Sequence, residues 1–194
     1  MTFSGHLVWG TPRTTAGIKW IDDPPGAGRA RVTARFSRSL GLPDQLPDVL
    51  GLAIRVETPA GHADIELAST GSAFPLRFAL LPRWRPSRGV FTTLLPYRGE
   101  KGPVLLRARP LGPALPTDLP GIDGVLSADA WRLALSHARP GGRWHPFALL
   151  TLRTAGDLDQ VRFDAGRHML PGASAYPWVK AVRQPSYDAV QQRP

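Results

Sequence analysis

Three stretches of sequence decide the fold: Arg31–Arg38 (RVTARFSR), Asp48–Val56 (DVLGLAIRV) and Gly61–Thr70 (GHADIELAST). In the first, Val32, Ala34 and Phe36 alternate with polar side chains, which is the pattern of a strand with one buried face. Turn-forming residues fill the interval 41–48 between the first two stretches. The sequence therefore predicts three consecutive strands joined by ordered turns.

Short apolar or alternating runs continue along the rest of the chain. They predict further strands over Leu76–Leu81, Val90–Tyr97, Val104–Arg109, Trp131–His137, Trp144–Leu152 and Val161–Phe163. The 21 prolines and 20 glycines favour many short strands over long helices. Closure into a barrel would remove the exposed strand edges, and a two-sheet sandwich remains the physical alternative.

The 194 residues suffice for one domain with a substantial core. We expect residues 1–28 to form an irregular N-terminal segment and residues 174–193 to be helical. Pro177 suits the first position of a helix, and Ser174 lies nearby as an N-cap.

Composition limits the classes of function. The chain has a formal net charge of +9 and 24 basic residues, but these are spread along the sequence. Scattered solvated charges are therefore favoured over a surface for phosphate or nucleic acid, which needs several cations on one face. The sequence has no cysteine, secretion signal or long apolar stretch, so a cytoplasmic protein without a membrane span is expected.

The three deciding stretches resemble the core of the haem catalases. In that family an RFS strand is followed by a D-x-x-G-x-A strand and a G-x-x-D-L strand. The resemblance implies a mainly β fold, a small antiparallel catalase-like β-barrel with a short C-terminal helix. It also implies that Arg35 pairs with a haem propionate and that Ser37 supports a distal histidine.

The C-terminal region adds a second point of resemblance. Catalases ligate haem iron through a tyrosine in an R-x-x-x-Y helix, and Arg183 and Tyr187 have this spacing. The resemblance implies haem b with Tyr187 as the iron ligand, Arg183 favouring its phenolate, and Arg193 as another arginine beside the haem. The early strands and Tyr187 would then enclose one internal cavity.

The chain departs from the catalase pattern on the distal side. Ala68 and Ser69 stand where the family has asparagine, and His6 is the histidine upstream of Arg35. His6 is closer to Arg35 than the family spacing requires, although it is the candidate distal base. The resemblance therefore implies a haem-binding protein that acts on a small molecule such as a peroxide, with weak peroxidase-like or degenerate activity.

Two hypotheses from other classes remain open. The first is a non-enzymatic β-barrel binding module without haem. The second is a phosphodiesterase-type hydrolase, for which His62 and Asp64 form an H-x-D pair and His137 and His145 flank a predicted hairpin.

A nucleic-acid interface is a further hypothesis for this sequence. Aromatic and arginine side chains interleave in one part of the sequence, a mixture that can stack and neutralise a single strand. They are Trp84, Phe91 and Tyr97, with Arg83, Arg85, Arg88 and Arg98. The more common role of such a mixture is a barrel exterior with cation–π contacts, so nucleic acid is not the favoured partner.

Overall fold

The computed structural model describes residues 1–11, 13–26, 28–43, 45–112, 115–116, 118–155, 161–179 and 181. Ten strands and two helices lie in this part of the chain. The strands are β1 (Thr2–Trp9), β2 (Arg29–Arg38), β3 (Leu50–Thr58), β4 (Gly61–Thr70), β5 (Val90–Thr92), β6 (Tyr97–Gly99), β7 (Gly102–Pro110), β8 (Trp131–Ala138), β9 (His145–Thr154) and β10 (Ser174–Ala175). The helices are α1 (Lys19–Asp22) and α2 (Leu119–Ala128).

Eight antiparallel strands close into a barrel in the order β1-β2-β3-β4-β5-β7-β8-β9, with β9 pairing back onto β1. The short strands β6 and β10 extend the sheet beside β7. Closure pairs both edges of each barrel strand, which is the advantage a barrel has over an open sheet. The predicted mainly β, antiparallel barrel is therefore confirmed, and the sandwich alternative is wrong.

The barrel interior is packed with side chains. Trp131 of β8 lies at its centre, and its ring centroid is 5.9 Å from those of Phe3 and Phe36 and 6.2 Å from that of Phe91. All four side chains are buried. An eight-stranded barrel is just wide enough for its inward side chains to fill it. Among the described residues, large aromatic side chains therefore leave no room for a porphyrin inside the barrel, while the predicted cavity that includes Tyr187 lies partly outside them and stays a prediction.

The N-terminal prediction was also wrong, because residues 1–28 contain β1 and α1 and are not irregular throughout. Phe3, Leu7 and Trp9 alternate with exposed or half-buried residues, so β1 has one face for the core. It pairs with both β2 and β9 and completes the barrel.

Elsewhere the observed elements differ from the predicted strands over short stretches. Leu76–Phe78 is a 3-10 turn where a strand was expected, and residues 161–163 are not in a strand. The run Val90–Tyr97 divides between β5 and β6, with Leu94 at a φ of 57° between them. Helix α2 was not predicted, and it begins where the Asp118 carboxylate accepts a hydrogen bond from the Gly121 N–H.

The C-terminal region is described only in part. The model places β10 at Ser174–Ala175 and helical residues at 177–179 and 181. Thus 174–193 does not begin with helix, and residues 180 and 182–194 lie outside the described residues. Within the described chain, no helix has both the length and the apolar character needed to cross a bilayer.

Candidate functional site

Arg35 and Ser37 lie on the outer face of the barrel, because the intervening Phe36 points into the core. Arg35 is paired with Ala53 on β3, and Ala53 is paired with Glu66 on β4. Together with Phe163 these residues line a groove of about 160 Å³. We call this the Arg35 groove, and it holds both residues of β2 that the catalase resemblance singles out, Arg35 and Ser37.

Gly51 forms part of the groove floor and permits a close approach. A Cβ at this position would lie 2.7 Å from the Ser37 hydroxyl oxygen and 3.3 Å from that of Ser39. Because real Cβ atoms do not come this close to other atoms, any larger residue would displace Ser37. The glycine therefore keeps the Ser37 hydroxyl against the β3 backbone.

Residues 161–168 cross the outer face of β3 and β4, and we call them the cover segment. The Arg55 guanidinium donates two hydrogen bonds of 2.7 Å to the Asp64 carboxylate and a third of 2.7 Å to the Arg162 carbonyl. The Asp64 carboxylate also accepts the Asp164 N–H at 2.8 Å. A bidentate pair of this kind is specific in geometry as well as strong, and it anchors the cover segment to the sheet.

The charges of Arg55 and Asp64 stabilise each other. Burial of Asp64 would by itself raise its pKa, but the hydrogen bonds from Arg55 and the Asp164 N–H lower the pKa below its usual value of 3.8. The hydrogen bond to Asp64 correspondingly raises the pKa of Arg55. Asp64 is therefore a buried, ionised structural group, with its lone pairs already engaged.

Phe163 of the cover segment stands between two cations. The guanidinium carbon of Arg35 lies 5.5 Å from the ring centre, and that of Arg55 lies 5.4 Å away. Arg55 is neutralised by Asp64, whereas Arg35 makes no ion pair with any residue that the structure describes. The Arg35 groove therefore has an exposed guanidinium beside an aromatic ring, and it also contains the Glu66 carboxylate.

His62 and Asp64 do not form a metal site. The His62 ring packs against His168 with centroids 4.0 Å apart, while Asp64 is held by Arg55. Burial, then Arg55, then His168 lower the pKa of His62. No group of three or more His, Asp or Glu side chains suited to a metal ion occurs in the described ranges. A two-metal phosphodiesterase centre thus has no support there.

His6 lies in a different place from the Arg35 groove. It faces outward from β1 and lines a separate open groove of about 600 Å³ with Ser4, Arg29 and Arg31. Burial and then Arg29 lower its pKa. The residue opposite Arg35 on β1 is Thr2, so His6 is displaced by four positions, about 13 Å along the strand. His6 therefore does not share the Arg35 groove, and its role as a distal base stays a prediction.

The residues described here do not fit a porphyrin. The interior is filled, and the Arg35 groove is smaller than the roughly 300–1,000 Å³ typical of small-molecule pockets. Phe163 lies against the guanidinium that would receive a propionate. The predicted residues Arg183, Tyr187 and Arg193 lie outside the described residues, so their roles stay predictions.

The predicted aromatic platform for nucleic acid is not formed. Phe91 and Tyr97 are buried in the barrel, so their rings cannot stack on bases. Trp84 is exposed and donates its indole N–H to the Gln45 carbonyl at 3.2 Å. A single exposed ring lacks the successive stacking surfaces that single-strand binders use.

The sequence contained a signal for the Arg55–Asp64 pair. The β3–β4 hairpin places Thr58 opposite Gly61, and counting back from this turn sets Arg55 opposite Asp64. Opposite charges that face each other across a hairpin stabilise it. Phe163 had no such signal, because it reaches the groove from a segment about a hundred residues later.

No protein-family model matches this chain, and no curated protein matches its sequence. Solved structures of catalases are similar to it in fold. A fungal catalase superposes with a TM-score of 0.67 at 12% identity over 98% of this chain and 57% of that chain. Catalase A from Saccharomyces cerevisiae gives 0.69 at 12% identity, over 99% and 59%, and a bacterial catalase gives 0.67 at 14%, over 98% and 55%.

The chain thus spans a little over half the length of these catalases. At such low identity the similarity shows the path of the backbone alone. The protein has a catalase-like fold.

Proposed function

We propose that this protein is a non-enzymatic binding protein of catalase-like fold, and that its Arg35 groove takes a small hydroxy or amino carboxylic acid. One observation carries the proposal. In the described structure Arg35 is an exposed cation without an ion-pair partner, and it lies beside an aromatic wall and a hydroxyl group.

The groove has complementary groups on its two sides. A guanidinium matches the two oxygens of a carboxylate and stays charged at any physiological pH. Ser37 can donate a hydrogen bond to the same carboxylate. Glu66, two strands away across Ala53, already takes part in an interaction, and its negative charge on the far side of the groove favours a ligand with a hydroxyl or ammonium group there. The groove volume of about 160 Å³ suits the polar end of a small molecule.

Thermal unfolding in the presence of small acids tests this proposal. Lactate, glycine, acetate and inorganic phosphate would be titrated separately, with ethylamine as a cationic control. We expect lactate and glycine to raise the melting temperature, since a ligand that binds only the folded state stabilises it. Arg35→Ala should abolish the shift, and Arg31→Ala, an exposed arginine on the same strand, should retain it.

Two results would contradict the proposal. One is that none of the four acids raises the melting temperature, even in large excess. The other is an equal shift in Arg35→Ala and in the unmodified protein, which would place the bound anion elsewhere on this basic surface.

A second candidate is a haem-binding protein with weak peroxidase-like or degenerate activity. The observation in its favour is that Arg35 and Ser37 share one outward face of a catalase-like barrel. In this case Arg35 and Arg193 would hold propionates, Tyr187 would ligate the iron, and Arg183 would favour its ionised form. It requires Phe163 to leave the groove, and titration with hemin separates it from the first candidate.

A further inference from the structure

Two loops on one side of the barrel expose an unusual number of large apolar side chains. One is the β2–β3 loop and the other is the connection from β4 to β5. The exposed fractions range from 39% to 65%, and the residues are Leu40, Leu42, Leu46, Phe74, Leu76, Leu80 and Trp84. We call this set the apolar loop face. A concentration of exposed apolar side chains in neighbouring loops marks an interaction site more often than scattered single residues do.

The β2–β3 loop is built with its polar groups inward and its leucines outward. The Arg38 guanidinium donates to the carbonyls of Leu42, Pro43 and Leu46 at 3.3, 3.1 and 2.8 Å. The buried Asp48 carboxylate accepts the N–H groups of Leu40 and Leu42 at 2.9 and 3.2 Å. These hydrogen bonds hold the backbone of the described loop residues, so the leucines project outward from hydrogen-bonded positions.

The second loop is joined to the first by backbone and side-chain contacts. Asp48 and Arg83 exchange two backbone hydrogen bonds of 2.8 and 3.2 Å. The Trp84 indole N–H donates to the Gln45 carbonyl, which leaves most of its ring in solvent. The two loops therefore lie side by side where residues 45–48 meet residues 83–84.

The charge along the β4–β5 connection has a single sign, whereas the β2–β3 loop carries Asp44 between Leu42 and Leu46 in the sequence. The sequence contains no Asp or Glu from residue 67 to residue 99, and this interval includes Arg85 and Arg88, both exposed. Asp48 is fully buried and does not offset them at the surface. An apolar surface with cationic neighbours and an exposed tryptophan matches a bilayer that carries anionic lipid, where acyl chains and phosphates are adjacent.

We propose that the apolar loop face binds peripherally to membranes that contain anionic phospholipid. The leucines, Phe74 and Trp84 enter the headgroup region, and Arg85 and Arg88 contact lipid phosphates. A second copy of this chain is a poorer occupant, because a two-fold interface would oppose the same arginines to themselves. The proposal is independent of any ligand in the Arg35 groove.

Cosedimentation with lipid vesicles tests the proposal. Vesicles of phosphatidylcholine with phosphatidylglycerol would be compared with vesicles of phosphatidylcholine alone. We expect binding to the mixed vesicles that weakens as salt is added, since the attraction to anionic lipid is screened. Leu76→Ser/Leu80→Ser and Arg85→Glu/Arg88→Glu should each weaken partitioning by about tenfold or more.

Matched controls separate the surface from general stickiness or net charge. Leu111→Ser/Leu149→Ser changes two exposed leucines elsewhere, and Arg13→Glu/Arg153→Glu changes net charge equally at exposed positions outside the apolar loop face. Both should bind the mixed vesicles within about twofold of the unmodified protein, because substituted exposed residues far from a contact have small effects.

Three outcomes would overturn the proposal: no binding to the mixed vesicles, equal binding to pure phosphatidylcholine, or unchanged binding of both loop variants. A titration with polyglutamate covers the other class of partner. Polyglutamate could displace the protein from vesicles and also bind the Leu76→Ser/Leu80→Ser variant as tightly as it binds the unmodified chain. That result would mean that the apolar loop face serves an acidic protein and not a membrane.

Discussion

The interior of the barrel and the outer face of β2–β4 use aromatic residues in opposite ways. Inside, Trp131 contacts three phenylalanines and all four are buried. Outside, Phe163 covers a shallow groove and lies between Arg35 and Arg55. The interior is closed to ligands, whereas the outer groove combines an aromatic wall with an exposed cation.

This difference separates what determines a fold from what determines a binding site. The path of the backbone depends on inward side chains that fill the barrel, and many apolar combinations satisfy this requirement. A binding site depends on a few particular groups at fixed distances. Replacement of those groups leaves the barrel intact, so the fold alone does not carry the activity.

The largest expected effect is a loss of stability when a side chain in the barrel interior is truncated. Trp131→Ala should reduce the free energy of unfolding by about 4 kcal/mol, because a large aromatic side chain leaves a cavity among three others. Trp131→Phe should cost much less, since the Trp131 indole N–H has no hydrogen-bond partner among the described residues. Chemical denaturation measures both, and similar values for the two variants would contradict a tightly filled interior.

The second largest expected effect is a loss of stability when the Arg55–Asp64 pair that holds the cover segment is broken. Asp64→Ala should cost about 3 kcal/mol, because it leaves the Arg55 guanidinium and the Asp164 N–H without their acceptor. Arg55→Met/Asp64→Leu removes both charges and should be less destabilising than Asp64→Ala alone. Denaturant unfolding of the two variants decides this, and a double variant less stable than the single one would contradict the assignment.

Phe163→Ala should have a smaller effect on stability, about 1 kcal/mol, since the ring is half-buried and its cation–π contacts are near the surface. It should also widen the Arg35 groove. Phe163→Leu keeps an apolar wall and serves as the control in the same unfolding experiment. A loss as large as that of Asp64→Ala would mean that Phe163 is a core residue and not a groove wall.

The smallest expected effect is on pH dependence. The folded protein lowers the pKa of His62 below 6.5, so the unfolded chain takes up this proton first as the pH falls. Stability should therefore decrease as the pH drops below 6.5, until the folded-state pKa is reached. The Asp64 contribution is separate, because it is lost only below pH 3.8.

Denaturation midpoints measured above and below pH 6.5 test this effect. His62→Gln should show a shallower decrease than the unmodified protein, because its side chain does not titrate. An identical slope in the two proteins would show that His62 is not responsible.

The sequence predicted the regular part of the fold well. Alternation in β2, β3 and β4 is determined locally, since each strand must bury one face, and the structure follows it. It also placed Arg35 outside the apolar set of β2. The N-terminal strand was missed because Gly5 leaves a gap in the inward pattern of Phe3, Leu7 and Trp9.

The site was predicted less well, because it depends on contacts between distant parts of the chain. Arg35 and Ser37 do share an outward face, but nothing local indicates that Phe163 would lie against Arg35. The displacement of His6 follows from the β1–β2 register. The sequence does not indicate this register, because it does not indicate β1 itself. The fold therefore followed from periodicity, whereas the groove required tertiary structure.

Titration of the purified 194-residue chain with hemin, followed by its visible absorption spectrum, tests the central claim most directly. A filled interior and a small outer groove predict no saturable Soret band at one hemin per chain, in the unmodified protein and in Tyr187→Phe alike. A stoichiometric Soret band that is present in the unmodified protein and lost in Tyr187→Phe would contradict the account and restore the haem-binding alternative.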